Sequence, residues 1–173
     1  LPWWLTRISR GGRVLAPGDP GVRMQLIDVR DLAAFTLDQA ERGTTGDFNV
    51  TGPVGNATYG EWLELCREVT GSDAEFVWVD DEFLVKHEVA IFTELPLWSG
   101  PASPEMDNFW DIPIGRARAA GLRNRPVAET VRDTWEWLRH IPEEKRTYGR
   151  VIPHGMDPEK ERAILAAWDA RSA

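Results

Sequence analysis

Cysteine is almost absent from this 173-residue sequence, in which Cys66 is the single example. No disulfide within the chain is therefore possible, and the place of Cys66 on the apolar face of a predicted helix favours a buried thiol over a reactive one. Histidine is scarce too: His87, His140 and His154 are scattered, with no paired carboxylate or cysteine at ligand spacing. The sequence predicts no metal site.

Long apolar runs and clusters of positive charge are also missing. No run approaches the roughly 20 residues that a membrane span needs, and no signal-peptide pattern is visible. The net charge is −8 and is spread along the chain, which argues against nucleic acid or an anionic membrane as a partner. We expect a cytoplasmic protein. The start at Leu1 instead of methionine is compatible with a fragment or a processed product.

Tryptophan, by contrast, is abundant, with nine residues in a chain that is 42% apolar. Such side chains bury large areas or line aromatic pockets. Strand-like and helix-like patterns alternate, which predicts an α/β fold of helices around short strands. We divide the chain into a main part, 1–142, and a tail, 143–173. The tail carries a final helix, 158–171, with Asp157 as its cap.

The most informative stretch runs from residue 24 to residue 41. Its apolar start, 24–27, predicts a buried strand, and Asp28 and Asp31 then suit the amino end of a helix. The spacing of the residues that follow predicts one buried helix face. These residues are Leu32, Ala33, Phe35, Thr36 and Ala40. Residues 48–50 then predict another short strand.

Local signals place several further elements. Thr58 followed by Glu61 is a capping box that starts a helix, and residues 75–79 alternate like a strand. The acidic run 80–82 is assigned to helix capping. Truncation of Trp135 in the helix after Pro126 is predicted to cost about 3–5 kcal/mol if that side chain is fully buried. Residues 91–114 are irregular, as binding loops often are.

Four segments, taken together and in order, resemble the second half of the extended short-chain dehydrogenase/reductase family, also called the NAD-dependent epimerase/dehydratase family. A V-x-D-L-A segment stands at 29–33 and an F-N-x-x-G segment at 48–52. The stretch 120–139 is similar to the family's closing segment. The fourth segment, ELPLW at 94–98, looks like one found in reductase-like actinobacterial members. Beyond these four, the tail 155–173 also resembles theirs.

The resemblance implies a parent protein whose N-terminal Rossmann half binds NAD or NADP, with this chain as the C-terminal, substrate-binding part. The family's glycine-rich pyrophosphate loop and its tyrosine–lysine pair are not found here. Leu63 stands four positions after Tyr59, and Ile152 four after Tyr148. Met24 takes the place of an arginine that nucleotide-sugar members often carry. We therefore assign no catalytic and no cofactor-binding residue to this chain.

The expected activity of the parent is reduction or epimerisation/dehydration of a small carbonyl or hydroxyl substrate. An alternative is a free-standing, non-catalytic domain that binds or senses a small molecule. In either case tryptophan and acidic side chains near the irregular loop are the predicted ligand contacts. The predicted substrate-binding residues are Glu94, Leu95, Trp98, Trp110, Trp3 and Trp4.

Overall fold

The computed structural model describes residues 1–103, 106, 108–146 and 154–171. Over these residues the chain is a mixed α/β fold of seven α-helices and four short strands, in agreement with the predicted class. The helices are α1 (Pro2–Ser9), α2 (Val29–Glu41), α3 (Tyr59–Thr70), α4 (Asp81–Lys86), α5 (Gly115–Ala119), α6 (Val127–Leu138) and α7 (Pro158–Ala170). The strands are β1 (Arg13–Pro17), β2 (Arg23–Met24), β3 (Ala57–Thr58) and β4 (Glu75–Val79).

Two small sheets organise these elements. β1 pairs in parallel with β4, from Arg13 opposite Glu75 to Pro17 opposite Val79. β2 pairs with β3 in the antiparallel sense. All of β1 after its first residue is buried, and α1, α3 and α6 pack against one another around the main core.

Aromatic side chains fill the centre of that core. Trp4 and Trp62 are fully buried, with ring centroids 6.2 Å apart and nearly perpendicular planes. Tyr59 lies edge-on to Trp62 at 5.7 Å. Cys66 is buried beside them, as predicted, and burial raises the pKa of its thiol to about 12. A thiolate is therefore scarce at neutral pH.

The helix starts predicted from local signals are confirmed. Thr58 accepts from the Glu61 amide, and the Glu61 carboxylate accepts in return from the Thr58 amide at 2.8 Å. Asp157 caps α7 by accepting from the Glu159 and Lys160 amides. That helix is attached to the main core because Glu161 accepts from Arg7 Nε at 2.6 Å and from the Leu15 amide at 3.0 Å. The boundary at residue 142 stays a prediction.

The predicted buried face of α2 is wrong except for Phe35. Leu32 is 37% exposed, and the buried stripe is instead formed by Asp31, Phe35 and Gln39. Polar residues can occupy this stripe because they are paired. The Asp31 carboxylate accepts from the Arg125 amide and from Arg125 Nε, both at 2.8 Å.

The strand predicted over residues 24–27 is shortened to β2, which ends at Met24. A side chain takes the place of a neighbouring strand: Asn56 Oδ1 accepts from the Leu26 amide at 2.9 Å, and Asn56 Nδ2 donates to the Leu26 carbonyl at 2.7 Å. Both backbone groups of Leu26 are thereby satisfied without a β-ladder. Asp28 then caps α2, as predicted.

The strand predicted over residues 48–50 is also wrong. Phe48 packs edge-on against Phe35 with ring centroids 5.4 Å apart, and Asn49 Nδ2 donates to the Pro113 carbonyl at 3.1 Å. Together with Ala117 and Leu122 these residues form a second, smaller core between α2 and α5. Side-chain packing therefore holds this segment without strand pairing.

Trp135 on α6 is only partly buried, so its truncation is expected to cost less than a fully enclosed tryptophan would. We expect Trp135→Ala to lower the free energy of unfolding by about 1–2 kcal/mol in urea denaturation. Trp137 on the same helix is 57% exposed and gives a matched control. Trp137→Ala should change stability by less than about 0.5 kcal/mol, and equal losses in the two variants would contradict this assignment.

Candidate functional site

The carboxyl ends of the parallel strands β1 and β4 lie side by side. Gly18 and Asp19 follow β1, and Asp81 lies two residues after the end of β4. The Gly18 amide donates to the Val79 carbonyl at 2.8 Å, which fixes the two turns together. Gly18 has a φ of +64°, and a Cβ at this position would lie 2.5 Å from Asp81 Oδ1. Only glycine allows this approach.

A cavity of about 370 Å³ opens at this edge. Ligand sites of α/β proteins commonly lie outside the carboxyl ends of parallel strands. Its lining includes the side chains of Asp19, Val22, Asp81, Leu97, Trp98 and Trp110. We call this space the strand-end cavity.

The ELPLW segment, 94–98, forms one wall of the cavity and is hydrogen-bonded to two side chains of the core. The Pro96 carbonyl accepts from Trp4 Nε1 at 2.7 Å and from the Tyr59 hydroxyl at 2.9 Å. Both donors are buried. The segment is irregular, as predicted, and these two hydrogen bonds anchor it as a wall of the cavity.

Leu97 within this segment has a φ of +73°, in the left-handed region that side chains other than glycine rarely adopt. Holding a leucine there costs of order 1 kcal/mol. Its side chain lines the strand-end cavity and also two neighbouring cavities of about 200 and 290 Å³. Such strain commonly marks ligand-contacting segments.

Asp81 is one of two carboxylates that line the strand-end cavity, with Asp19. It is partly buried, and Trp98 Nε1 donates to its Oδ1 at 2.7 Å. Burial raises the pKa of this carboxyl above its ordinary value, and the negative charges of Asp80 and Asp19 act in the same direction. The Trp98 hydrogen bond opposes the shift without cancelling it.

The predicted ligand contacts separate into three groups. Trp98 and Trp110 both line the strand-end cavity, although Trp98 is only 4% exposed. Trp4 and Leu95 are fully buried in the core, so neither offers a surface to a ligand. Their apolar side chains stabilise the fold instead.

Trp3 and Glu94 occupy other places. Trp3 lines the 290 Å³ cavity together with Phe92 and has its ring against that of Trp4. The Glu94 carboxylate accepts from Lys160 Nζ and from the Ala90 amide, each at 2.7 Å. Both of these contacts tie the Glu94 carboxylate to the protein, and its assignment as a substrate-binding residue stays a prediction.

Sequence reasoning missed Asp19 and Asp81. The acidic run 80–82 was assigned to capping, yet Asp80 makes no side-chain cap on α4. The sequence does place each carboxylate within two residues of the end of a strand. That position indicates a shared site only once β1 and β4 are known to be parallel neighbours.

The chain matches no family model, no curated protein and no solved structure. Within the described residues, no three His, Cys, Asp or Glu side chains come together as a metal ion would require. None of the described helices combines the length and apolar character needed to cross a membrane.

Proposed function

We propose that this chain is the substrate-binding part of an NAD- or NADP-dependent reductase or epimerase/dehydratase. The observation that carries the proposal is the strand-end cavity, which lies where α/β proteins commonly bind small molecules. The motif resemblance at 29–33, 48–52, 94–98 and 120–139 supplies the reaction class. The substrate is a small molecule with a carbonyl or hydroxyl group.

In this proposal the present chain binds the substrate, and a Rossmann half of the same protein carries the reacting groups. Trp98 and Trp110 supply apolar walls, and Asp81 supplies a hydrogen-bond acceptor. Tyr59 is not offered as a proton donor, since its hydroxyl is buried, donates to Pro96, and has a pKa that burial raises well above the ordinary value. Tyr148 lies outside the described residues. The reacting groups are therefore assigned to a Rossmann half of the same protein.

The glycine turn 52–55, the only described candidate of this kind, does not fit a dinucleotide pyrophosphate. The glycine turn 52–55 precedes α3, but the first turn of that helix is closed by the Thr58–Glu61 capping box. The Glu61 carboxylate accepts from the Thr58 amide where a phosphate would need a free donor. We therefore derive no cofactor contact from this chain and assign NAD or NADP to the Rossmann half.

The residues 1–173 by themselves are expected to show no saturable binding of NADH or NADPH. The reason is the acidic, closed amino end of α3 and the packed glycine turn before it. Calorimetric titration with both nucleotides measures this. Saturable binding at micromolar concentrations would contradict the assignment of the nucleotide to the Rossmann half. It would indicate instead that the glycine turn 52–55 binds the phosphate groups.

One observation favours the alternative of a free-standing binding domain. The walls of the strand-end cavity are fixed by hydrogen bonds within this chain, including Trp4 and Tyr59 to Pro96. Such a cavity needs no second half to take shape. The gene sequence distinguishes the enzyme from the free-standing binding domain. A reading frame that continues upstream and encodes a glycine-rich loop after its first strand supports the enzyme. A start codon directly before Leu1 supports the binding domain.

A further inference from the structure

The charged side chains of the strand-end cavity have one sign. Asp19 and Asp81 line it, and among the described lining residues there is no lysine, arginine or histidine. The remaining described lining residues are apolar, aromatic or small and neutral. An anionic group such as a phosphate or a free carboxylate would meet two carboxylates and no counter-charge.

Neither of these carboxylates is neutralised by a described side chain. Asp81 accepts from the Trp98 indole, and Asp19 Oδ1 accepts from the Gly21 amide at 2.7 Å. No ion pair joins either of them to a described basic residue, whereas the neighbouring Asp80 pairs with Arg171 at 3.0 Å. Asp80 and Asp81 are adjacent in the chain, but only Asp81 lines the cavity, and Asp81 is the one without an ion pair to a described basic residue.

A partly buried carboxylate near other negative charges is unfavourable without a partner. Bringing a cation into the cavity would offset that cost and form a charge-assisted hydrogen bond. Indole rings, which Trp98 and Trp110 place in the same lining, attract cations as well. Apolar groups of Val22 and Leu97 suit the uncharged body of the same ligand.

We infer that the strand-end cavity takes a substrate with a protonated amine on an apolar or aromatic body, and that the Asp81 carboxylate binds the amine. This inference rests on the proposed function, because it names the substrate class of the same cavity. Asp81 is thereby a specificity-determining residue for substrate and not a group that takes part in the chemical step.

The test uses three probes of similar size and different charge, titrated calorimetrically into the chain: 2-phenylethylamine, 2-phenylethanol and phenylacetate. We expect the amine to bind about tenfold or more tightly than the alcohol, and the acid not to bind measurably. Asp81→Asn retains an acceptor for the Trp98 indole but removes the charge. It should bring the affinity for the amine down to that for the alcohol.

Asp80→Asn is the matched control, because it removes the same charge one residue away, outside the cavity lining. It should leave the preference for the amine within about twofold of the parent chain. Thermal melts of both variants show whether each is folded. Asp81→Asn is expected to be at least as stable as the parent chain, because it relieves an unneutralised carboxylate.

The outcomes separate this inference from the proposed function. Equal binding of amine and alcohol, or preference for the acid, overturns the inference while the cavity remains a ligand site. Loss of the amine preference in Asp80→Asn to the same extent as in Asp81→Asn also overturns it. Absence of binding by all three probes counts against the cavity as a ligand site, and so against both proposals.

Discussion

Gly52→Ala is expected to destabilise the protein by about 3 kcal/mol or more, the upper range for overpacking a tight site. A Cβ at position 52 would overlap the Leu26 carbonyl oxygen and lie 2.8 Å from the Leu26 carbonyl carbon. It would also stand 2.7 Å from Asn56 Nδ2. Two of the three obstructing atoms belong to the backbone, so they cannot move aside as a side-chain end would.

The atoms in the way are those of the amide contact that replaces a strand partner. Asn56 holds both backbone groups of Leu26, and an added methyl at position 52 separates the pair. The partly buried carbonyl and amide of Leu26 then lose their partners together. The backbone conformation itself is not the obstacle, because Gly52 is not among the glycines with a positive φ.

Thermal and urea denaturation measure the effect, with an expected fall in melting temperature of about 6–12 °C. Gly115→Ala is the control, since Gly115 opens α5 and a Cβ there meets nothing within 4 Å. That variant should be neutral or slightly stabilised, by up to about 1 kcal/mol. A Gly52→Ala protein that melts with the parent chain would contradict the tight approach at Leu26.

Predictions from the sequence succeeded where the signal is local. A capping box is complete within four residues, and Asp157 followed by proline needs only its own helix. Both helices accordingly begin where predicted. β4 matches for the same reason, because the alternation at 75–79 already describes a half-buried strand.

Predictions failed where a distant side chain decides the local structure. Residues 24–27 look like a strand, but an amide thirty positions away, on Asn56, satisfies Leu26 instead. α2 buries Asp31 because Arg125 supplies its partner from 94 positions further on. Apolar periodicity cannot register such partners, so it assigned the wrong face.

The candidate site was predicted only in part for the same kind of reason. Trp98 and Trp110 were chosen for the aromatic, irregular character of their segment, and both line the cavity. Asp19 and Asp81 become cavity residues only because β1 and β4, about sixty residues apart, pair in parallel. No pattern within either segment encodes that pairing.

Asp28→Ala is expected to cost about 3 kcal/mol of stability, from a lost helix cap together with lost charge-assisted hydrogen bonds. Asp28 is 6% exposed and accepts from the Arg30 amide at 2.8 Å, from the Arg30 side chain, and from the Thr130 hydroxyl at 2.7 Å. It therefore connects the start of α2 with α6. Removing it leaves Thr130 without this acceptor.

The same contacts make stability depend on pH. Hydrogen bonds from Arg30, and then from Thr130, hold the pKa of the Asp28 carboxyl far below its ordinary value. The unfolded chain binds this proton near pH 4 and the folded chain does so only at lower pH. The stabilisation is therefore fully present above about pH 5 and is lost as the pH falls below about 4.

Asp28→Asn isolates the charge, because asparagine is also a good helix cap but does not titrate. Urea denaturation of the parent chain and of this variant from pH 3 to pH 7 measures the difference. We expect a gap of about 1–2 kcal/mol at neutral pH that narrows steadily below pH 4, because the unfolded parent chain then takes up a proton at Asp28 that the folded chain does not. If the free energies of unfolding of the two proteins change in parallel with pH, Asp28 acts through its helix cap alone. Its contacts with Arg30 and Thr130 would then add nothing to the attachment of α2 to α6.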